Sequence, residues 1–146
     1  MAEITYRVGR EEDIADIYDL LMAMHKEVGL VPVDKMKTLR KIVEVIENGM
    51  AFLAFADKRL VGSVGIAPAN FWYSTSTHLQ DYWTFVRPGF RKSRIAYNLL
   101  KRTKGFASKA SIPLAIGVFS PDQAKRKNAM FRRLFNPVGE MFVEGF

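Results

Sequence analysis

The sequence has no cysteine, only two histidines, and no apolar run of the roughly 20 residues that a membrane helix needs. Without cysteine there is no disulfide, no thiolate metal site and no cysteine nucleophile. His25 and His78 are too few and too far apart to predict a metal site. The first residues do not form a basic start followed by an apolar stretch, so no signal peptide is predicted. These absences, with a length of 146 residues, favour a cytoplasmic protein without a membrane segment that forms one domain, residues 1–146.

Acidic residues are missing from a long part of the second half. Residues 82–121 contain eight Lys or Arg and no Asp or Glu. Residues 1–81 carry nine Lys or Arg against twelve Asp or Glu, a net charge of −3, whereas residues 82–146 carry thirteen against three, a net charge of +10. Although a run of charge is often only a solvated face, an asymmetry of this size predicts an anionic ligand or partner for the second half.

Hydrophobic periodicity predicts an α/β fold with the element order β-α-α-β-β-β-α-β-α-β. Strands are predicted at residues 3–8, 50–56, 59–67, 78–86, 112–119 and 138–144, and helices at 11–28, 34–48, 93–110 and 120–135. Residues 78–119 therefore form a strand, a turn, a helix and a strand, and such a unit implies one parallel pair of strands. Gly62 and Gly65, inside the third strand, predict a bulge or a close backbone neighbour.

The turn at residues 87–92 is the predicted ligand site. Pro88 and Gly89 stop the fourth strand, and a helix follows, so unpaired N–H groups and the helix dipole favour an anion there. Four cationic side chains surround this helix start: Arg87, Arg91, Lys92 and Arg94. The turn therefore predicts a phosphate-bearing ligand.

The order of elements and four segments resemble the GCN5-related N-acetyltransferase (GNAT) superfamily, especially its small stand-alone members from bacteria and phages. The segments are YRVGREEDIADI, FLAFADKRLVGSVGI, WTFVRPGFRKSRIAYNLL and MFRRLFNPVGEMF. The resemblance covers essentially the whole chain. It implies a GNAT-like fold, with a mixed, mostly antiparallel central sheet that contains one parallel pair.

The resemblance also implies acetyl-CoA as co-substrate. The family's pyrophosphate signature (Arg or Gln, two residues, Gly, one residue, Gly or Ala) falls on residues 91–96, where Arg94 stands at the central Gly. Arg94 either crowds the approach of the pyrophosphate or contacts a phosphate oxygen through its guanidinium. The main-chain groups of Val86 are expected near the thioester. The pyrophosphate is expected to lie, largely through backbone N–H groups, on Arg91, Lys92, Ser93, Arg94, Ile95 and Ala96.

The resemblance leaves the acid and the base open. Some members have a Glu six residues before the position of Val86; here it is Gln80, and Asp81 is the candidate base, expected on the opposite face by strand alternation. Deprotonation of the amine by bulk water is the alternative. Many members have a Tyr in the last helix that protonates the sulfur, and here the matching residue is Phe131. Tyr97, Tyr82 or solvent would have to donate that proton.

The expected function is transfer of an acetyl group from acetyl-CoA to a primary amine, of a small molecule or a peptide, by direct attack. Trp72, His78 and Gln80 are candidate contacts for the acceptor. Phe71, Trp72 and Tyr73 could instead cover the sheet, and His78 could be a polar residue that ends a strand. The alternative is a module that binds acyl-CoA without catalysis, or nucleic acid, although no helix-turn-helix, zinc or RNP signature is present. A homodimer is an open expectation.

Overall fold

A computed structural model describes residues 3–117 and 124–145. Five strands form one sheet in the order β1-β2-β3-β4-β5, antiparallel except for the parallel pair β4–β5. The elements are β1 (Ile4–Val8), a 3-10 turn (Glu11–Asp13), α1 (Ile14–Val28), α2 (Lys35–Asn48), β2 (Met50–Ala56), β3 (Arg59–Asn70), β4 (Thr77–Val86), a second 3-10 turn (Pro88–Phe90), α3 (Ile95–Ala110), β5 (Leu114–Ala115) and α4 (Ala124–Leu134). The predicted α/β class and the parallel pair are confirmed.

Helices cover both faces of the sheet. One core joins α1 and α2 to the sheet, with Ile17, Leu20 and Ile42 fully buried against strand residues such as Leu53. The other core joins α3 and α4 to the opposite face, and its buried side chains include Val64, Ile66, Ile95, Leu100 and Phe131. Because each helix buries one apolar face, the two cores fix both sides of β4.

The end of α1 and the start of α2 fix the position of the loop between these two helices. Gly29 ends α1 in the left-handed conformation, with φ of 61°, which glycine adopts without strain. Asp34 begins α2 as an N-cap, since its Oδ1 accepts a hydrogen bond from Lys37 N at 2.9 Å. The chain between these two residues therefore leaves α1 at a fixed point beside β4.

A bulge interrupts the pairing of β3 with β4, as the two glycines predicted. Gly65 pairs with Trp83 and Ile66 pairs with Asp81, so Tyr82 is the extra residue on β4. A Cβ at Gly65 would lie 2.3 Å from the indole of Trp83, so only glycine fits there. The bulge shifts the alternation of side chains within β4.

Two predicted strands differ from the structure. The strand predicted at 112–119 pairs only at Leu114–Ala115, and residues 118 and 119 lie outside the described residues, as do residues 120–123 of the predicted last helix. The strand predicted at 138–144 is wrong, because this segment forms neither helix nor strand. Its apolar side chains have no sheet face to bury against, and Val138 and Phe142 are almost fully exposed. None of the helices in the described residues is long and apolar enough to cross a membrane.

Candidate active site

The site begins where β4 and β5 separate. In the part of the chain that the structure describes, the two strands pair only at Leu79 with Leu114 and at Gln80 with Ala115. Beyond Gln80, β4 continues to Val86, and no described residue of β5 pairs with it on that side. Within residues 3–117 and 124–145, the strand edge from 81 to 86 therefore faces a gap and has no neighbouring strand.

A cavity of about 250 Å³ lies at this gap. Its walls come from the end of α1 and the loop after it, from β4, and from α4. Apolar side chains form much of the lining: Met24, Val28, Leu30, Val31, Phe85 and Phe131. The polar side chains in the wall include Glu27, Asp81, Thr84 and Lys127. A small, mostly apolar cavity with few polar groups is typical of a ligand site.

Asp81 is held inside this cavity by a short chain of hydrogen bonds. Its Oδ1 accepts from Gly117 N at 3.1 Å and from Gln80 Nε2 at 3.2 Å, and the Oε1 of Gln80 lies 3.1 Å from His78 Nε2. Burial raises the pKa of Asp81 from 3.8 to about 6, although the hydrogen bonds from Gly117 and Gln80 act in the opposite direction. A carboxylate with such a pKa can take a proton near neutral pH.

Gln80 and Asp81 pair with Ala67 and Ile66 in an unbroken part of the ladder, so they lie on opposite faces of β4 as expected. The bulge at Tyr82 follows these residues directly, and the amide of Gln80 contacts the carboxylate of Asp81. The side chains of His78, Gln80 and Asp81 therefore form one polar row that ends in the cavity. Strand alternation predicts the faces of the two residues but not this contact, which depends on the conformations of their side chains.

Thr84 has a hydroxyl group that could bind a ligand. Its hydroxyl oxygen is buried and, within residues 3–117 and 124–145, has no hydrogen-bond partner. Thr84 also lines the cavity. A buried hydroxyl without a partner is unfavourable, and a polar group of a ligand in the cavity would satisfy it.

Arg91 links three elements at the mouth of the site. Its Nε donates to Val86 O at 2.9 Å, and its guanidinium pairs with Glu27 Oε2 at 2.6 Å. The guanidinium also lies 5.2 Å from the ring centroid of Phe85. The side chain of Arg91 therefore fixes the end of β4 against α1, which the sequence did not indicate.

The helix start predicted for the phosphates has the expected open donors. The hydroxyl of Ser93 contacts Phe90 O and accepts from Ile95 N at 3.3 Å, so the turn is closed by its own side chain. Within the described chain, the N–H groups of Lys92, Arg94 and Ala96 have no acceptor. The guanidinium of Arg94 lies over the ring of Tyr97, 4.6 Å from its centroid.

Lys127 is a cavity residue that sequence reasoning missed. It precedes Phe131 by four residues in α4, so both lie on the same face of the helix, and both line the cavity. Burial lowers the pKa of Lys127, the positive charge of Arg91 adds to this, and Glu27 opposes it. The four-residue spacing from Phe131 was the signal that could have found it.

Three other candidates lie elsewhere. Trp72 is 95% exposed in the turn between β3 and β4, outside the cavity, so its role as an acceptor contact stays a prediction. Phe71 stacks on His78, with ring centroids 4.3 Å apart, and so covers that histidine. Tyr82 lines the cavity but is partly exposed, and Lys41 Nζ lies 4.2 Å from its ring centroid. Tyr97 is not part of the cavity wall.

Comparisons with known proteins agree on the fold. A predicted acetyltransferase from Clostridium acetobutylicum, solved with acetyl-CoA, superposes with a TM-score of 0.78 at 16% identity, over 98% of this chain and 96% of that one. A ribosomal-protein-alanine N-acetyltransferase from Brucella melitensis gives a TM-score of 0.71 at 17% identity, over 99% of both chains. An aminoglycoside N-acetyltransferase in complex with CoA gives 0.71 at 15% identity, over 100% of this chain and 96% of that one.

A search of curated protein sequences finds no significant match. The sequence model of the acetyltransferase (GNAT) family, however, matches residues 14–133, which include α1 and most of α4. This match confirms the resemblance noted in the sequence. The chain therefore belongs to the GNAT family of acetyltransferases, whose members take the acetyl group from acetyl-CoA.

Proposed function

We propose that the protein transfers the acetyl group of acetyl-CoA to a primary amine by direct attack. The observation that carries this proposal is the position of Asp81, whose pKa is raised to about 6, in the cavity where β4 and β5 separate. A base with a pKa near the working pH removes the proton of an incoming ammonium efficiently. The amine would enter along the wall formed by α1 and the loop after it.

The coenzyme would lie between the cavity and the start of α3. Open N–H groups at Lys92, Arg94 and Ala96 suit the pyrophosphate, because they combine free donors with the dipole of α3. Arg91 would act mainly by fixing the end of β4, since its guanidinium is already paired with Glu27 and Val86 O. The main-chain N–H of Val86 would then face the thioester and stabilise the negative charge on its oxygen during attack.

The chemical class of the acceptor is inferred from the cavity lining and from the activities of proteins with the same fold. The lining is mostly apolar around two carboxylates, Glu27, which is paired with Arg91, and Asp81, and this suits an amine on a hydrocarbon or peptide body. Among the proteins with the same fold, one is an aminoglycoside N-acetyltransferase and one is a ribosomal-protein-alanine N-acetyltransferase. The probes are therefore sisomicin, spermidine, a peptide that begins with alanine and a peptide with an internal lysine.

The test is release of CoA thiol from acetyl-CoA in the presence of each probe, with mass spectrometry of the product. We expect one probe to gain a single acetyl group in a reaction that depends on the enzyme. Asp81→Asn should slow that reaction about 100-fold. A protein that binds acetyl-CoA tightly, but acetylates none of the probes and releases no thiol, would favour the non-catalytic alternative.

Polyanion binding is a second candidate because of the outer face of α4. Lys125, Arg126, Arg132 and Arg133 are exposed, and none forms an ion pair with a described acidic residue. Titration of the protein with a short DNA duplex at two salt concentrations tests this idea. Affinity that falls steeply with salt would support it, because phosphate contacts release counterions. Absence of binding at the lower salt concentration would remove it.

A further inference from the structure

The cavity wall includes Lys127, a titratable group that has no role in acetyl transfer as proposed above. The reaction produces a thiolate, and Phe131 offers no hydroxyl to protonate it. Lys127 lies one helical turn before Phe131 on the same face of α4 and lines the same cavity as Asp81. We propose that the ammonium group of Lys127 is the general acid that protonates the sulfur of CoA as the thioester breaks.

The position of Lys127 follows from its neighbours. Arg91 donates to Val86 O at 2.9 Å and pairs with Glu27 at 2.6 Å, and both Arg91 and Glu27 act electrostatically on Lys127. Lys127 therefore lies close to the end of β4, where the thioester is expected. Asp81 lines the same cavity from β4, so a base for the amine and an acid for the sulfur would approach the reacting carbon from different elements.

Lys127 also has suitable acidity. An ordinary lysine is a weak acid compared with a thiol, whose pKa is about 8.5. Burial and the charge of Arg91 lower the pKa of Lys127 and so bring the two groups closer, which makes proton transfer to the sulfur more favourable. The other titratable or charged groups around it are His25 and Glu27 from α1, and Asp81 and Tyr82 from β4. Of these, Glu27 raises the pKa of Lys127 and so limits the decrease.

The proposed step conserves atoms and charge, and it depends on the proposed function. Asp81 first takes a proton from the acceptor ammonium and releases it to solvent. The nitrogen of the resulting neutral amine attacks the carbonyl carbon, and the C–N bond forms. The C–S bond then breaks, its electron pair stays on sulfur, and the sulfur takes a proton from Lys127 to give the thiol of CoA. The surplus proton on nitrogen passes to Asp81. Asp81 then loses its proton to solvent, and Lys127 regains one from solvent.

The first test needs only CoA and no acceptor. In the complex with CoA, a neighbouring ammonium should lower the pKa of the bound thiol by about one unit, which is measured from the ultraviolet absorbance of the thiolate as pH increases. Lys127→Met should abolish this shift. Lys125→Met is the matched control, because it removes one lysine from the exposed part of the same helix and should leave the shift intact. CoA that binds with an unshifted thiol pKa overturns the role of Lys127 but leaves acetyl transfer standing, whereas failure to bind CoA overturns both.

The second test separates proton donation from charge. Lys127→Arg keeps the positive charge but cannot release a proton, so release of CoA should slow about 100-fold with acetyl-CoA affinity nearly unchanged. The decrease in rate at high pH, where the ammonium of Lys127 is lost, should disappear in this variant. Phe131→Tyr in the Lys127→Met background should restore part of the rate. A Lys127→Arg enzyme with normal turnover and the same pH profile, or acetylation of Lys127 itself during turnover, would overturn the proposal.

Discussion

Asp81→Asn should make the protein more stable and much less active. The pKa of Asp81 rises from 3.8 to about 6 on folding, because the carboxylate loses water. The folded state therefore binds more protons than the unfolded state between these two values, and stability decreases as pH rises through this window. Each pKa unit corresponds to about 1.4 kcal/mol, so the buried charge costs about 3 kcal/mol at about pH 7.

Asparagine removes that cost but forms weaker hydrogen bonds with Gly117 and Gln80 than a carboxylate does. We therefore expect the free energy of unfolding to rise by about 2 kcal/mol at about pH 7, and to change little at about pH 4.5, where most of the cost of the charge has already disappeared. Urea unfolding of both proteins at the two pH values measures this difference. Glu140→Gln is the control, because it removes an exposed carboxylate from the same chain.

The same substitution, Asp81→Asn, should lower activity although it raises stability. If Asp81 is the base, the rate of the wild-type enzyme should decrease as pH falls below about 6, since the protonated carboxyl cannot accept another proton. This decrease should be absent in Asp81→Asn, whose rate is low throughout. An Asn variant that is less stable at about pH 7, or that keeps the acidic limb of the pH profile, would refute the reasoning.

Three other substitutions test the packing and the coenzyme loop. Gly65→Ala should destabilise the protein by about 3 kcal/mol in urea unfolding, because the new methyl group overlaps the ring of Trp83. Arg91→Gln and Glu27→Gln should show a coupling of about 1–2 kcal/mol in a double-mutant cycle of unfolding, since the pair is mostly buried. Arg94→Gln should weaken CoA binding about tenfold in calorimetric titration if its guanidinium contacts a phosphate, which corresponds to about 1.4 kcal/mol.

For each of these three predictions there is a control variant or a result that would contradict it. Gly105→Ala should be neutral or stabilising, since a Cβ there meets no atom within 4 Å and alanine favours a helix. Additive effects of the Arg91 and Glu27 substitutions would show that the pair does not fix the end of β4. Tighter CoA binding by Arg94→Gln would mean that Arg94 crowds the pyrophosphate instead of contacting it.

The periodicity of apolar residues determined most of the fold. Ile17 and Leu21 mark a face of α1 at four-residue spacing, and the run at residues 50–56 marks a strand buried by two helical layers. Burial of an apolar face depends mainly on its spacing along the chain, so the sequence carries this information locally. The same reasoning failed at residues 138–144, because alternation cannot tell whether a sheet edge is available to receive a strand.

The sequence also predicted an anion site, since proline, glycine and four cations lie next to each other before a helix. The tertiary structure alone decided which side chains meet in the cavity. Arg91 and Glu27 are 64 residues apart, and Asp81 receives its hydrogen bond from Gly117, 36 residues later. The pKa of Asp81 depends on how much water the folded chain removes from around it, and the pKa of Lys127 on its burial and on the charge of Arg91. Those quantities arise from packing between distant segments, so residue identity and spacing could not supply them.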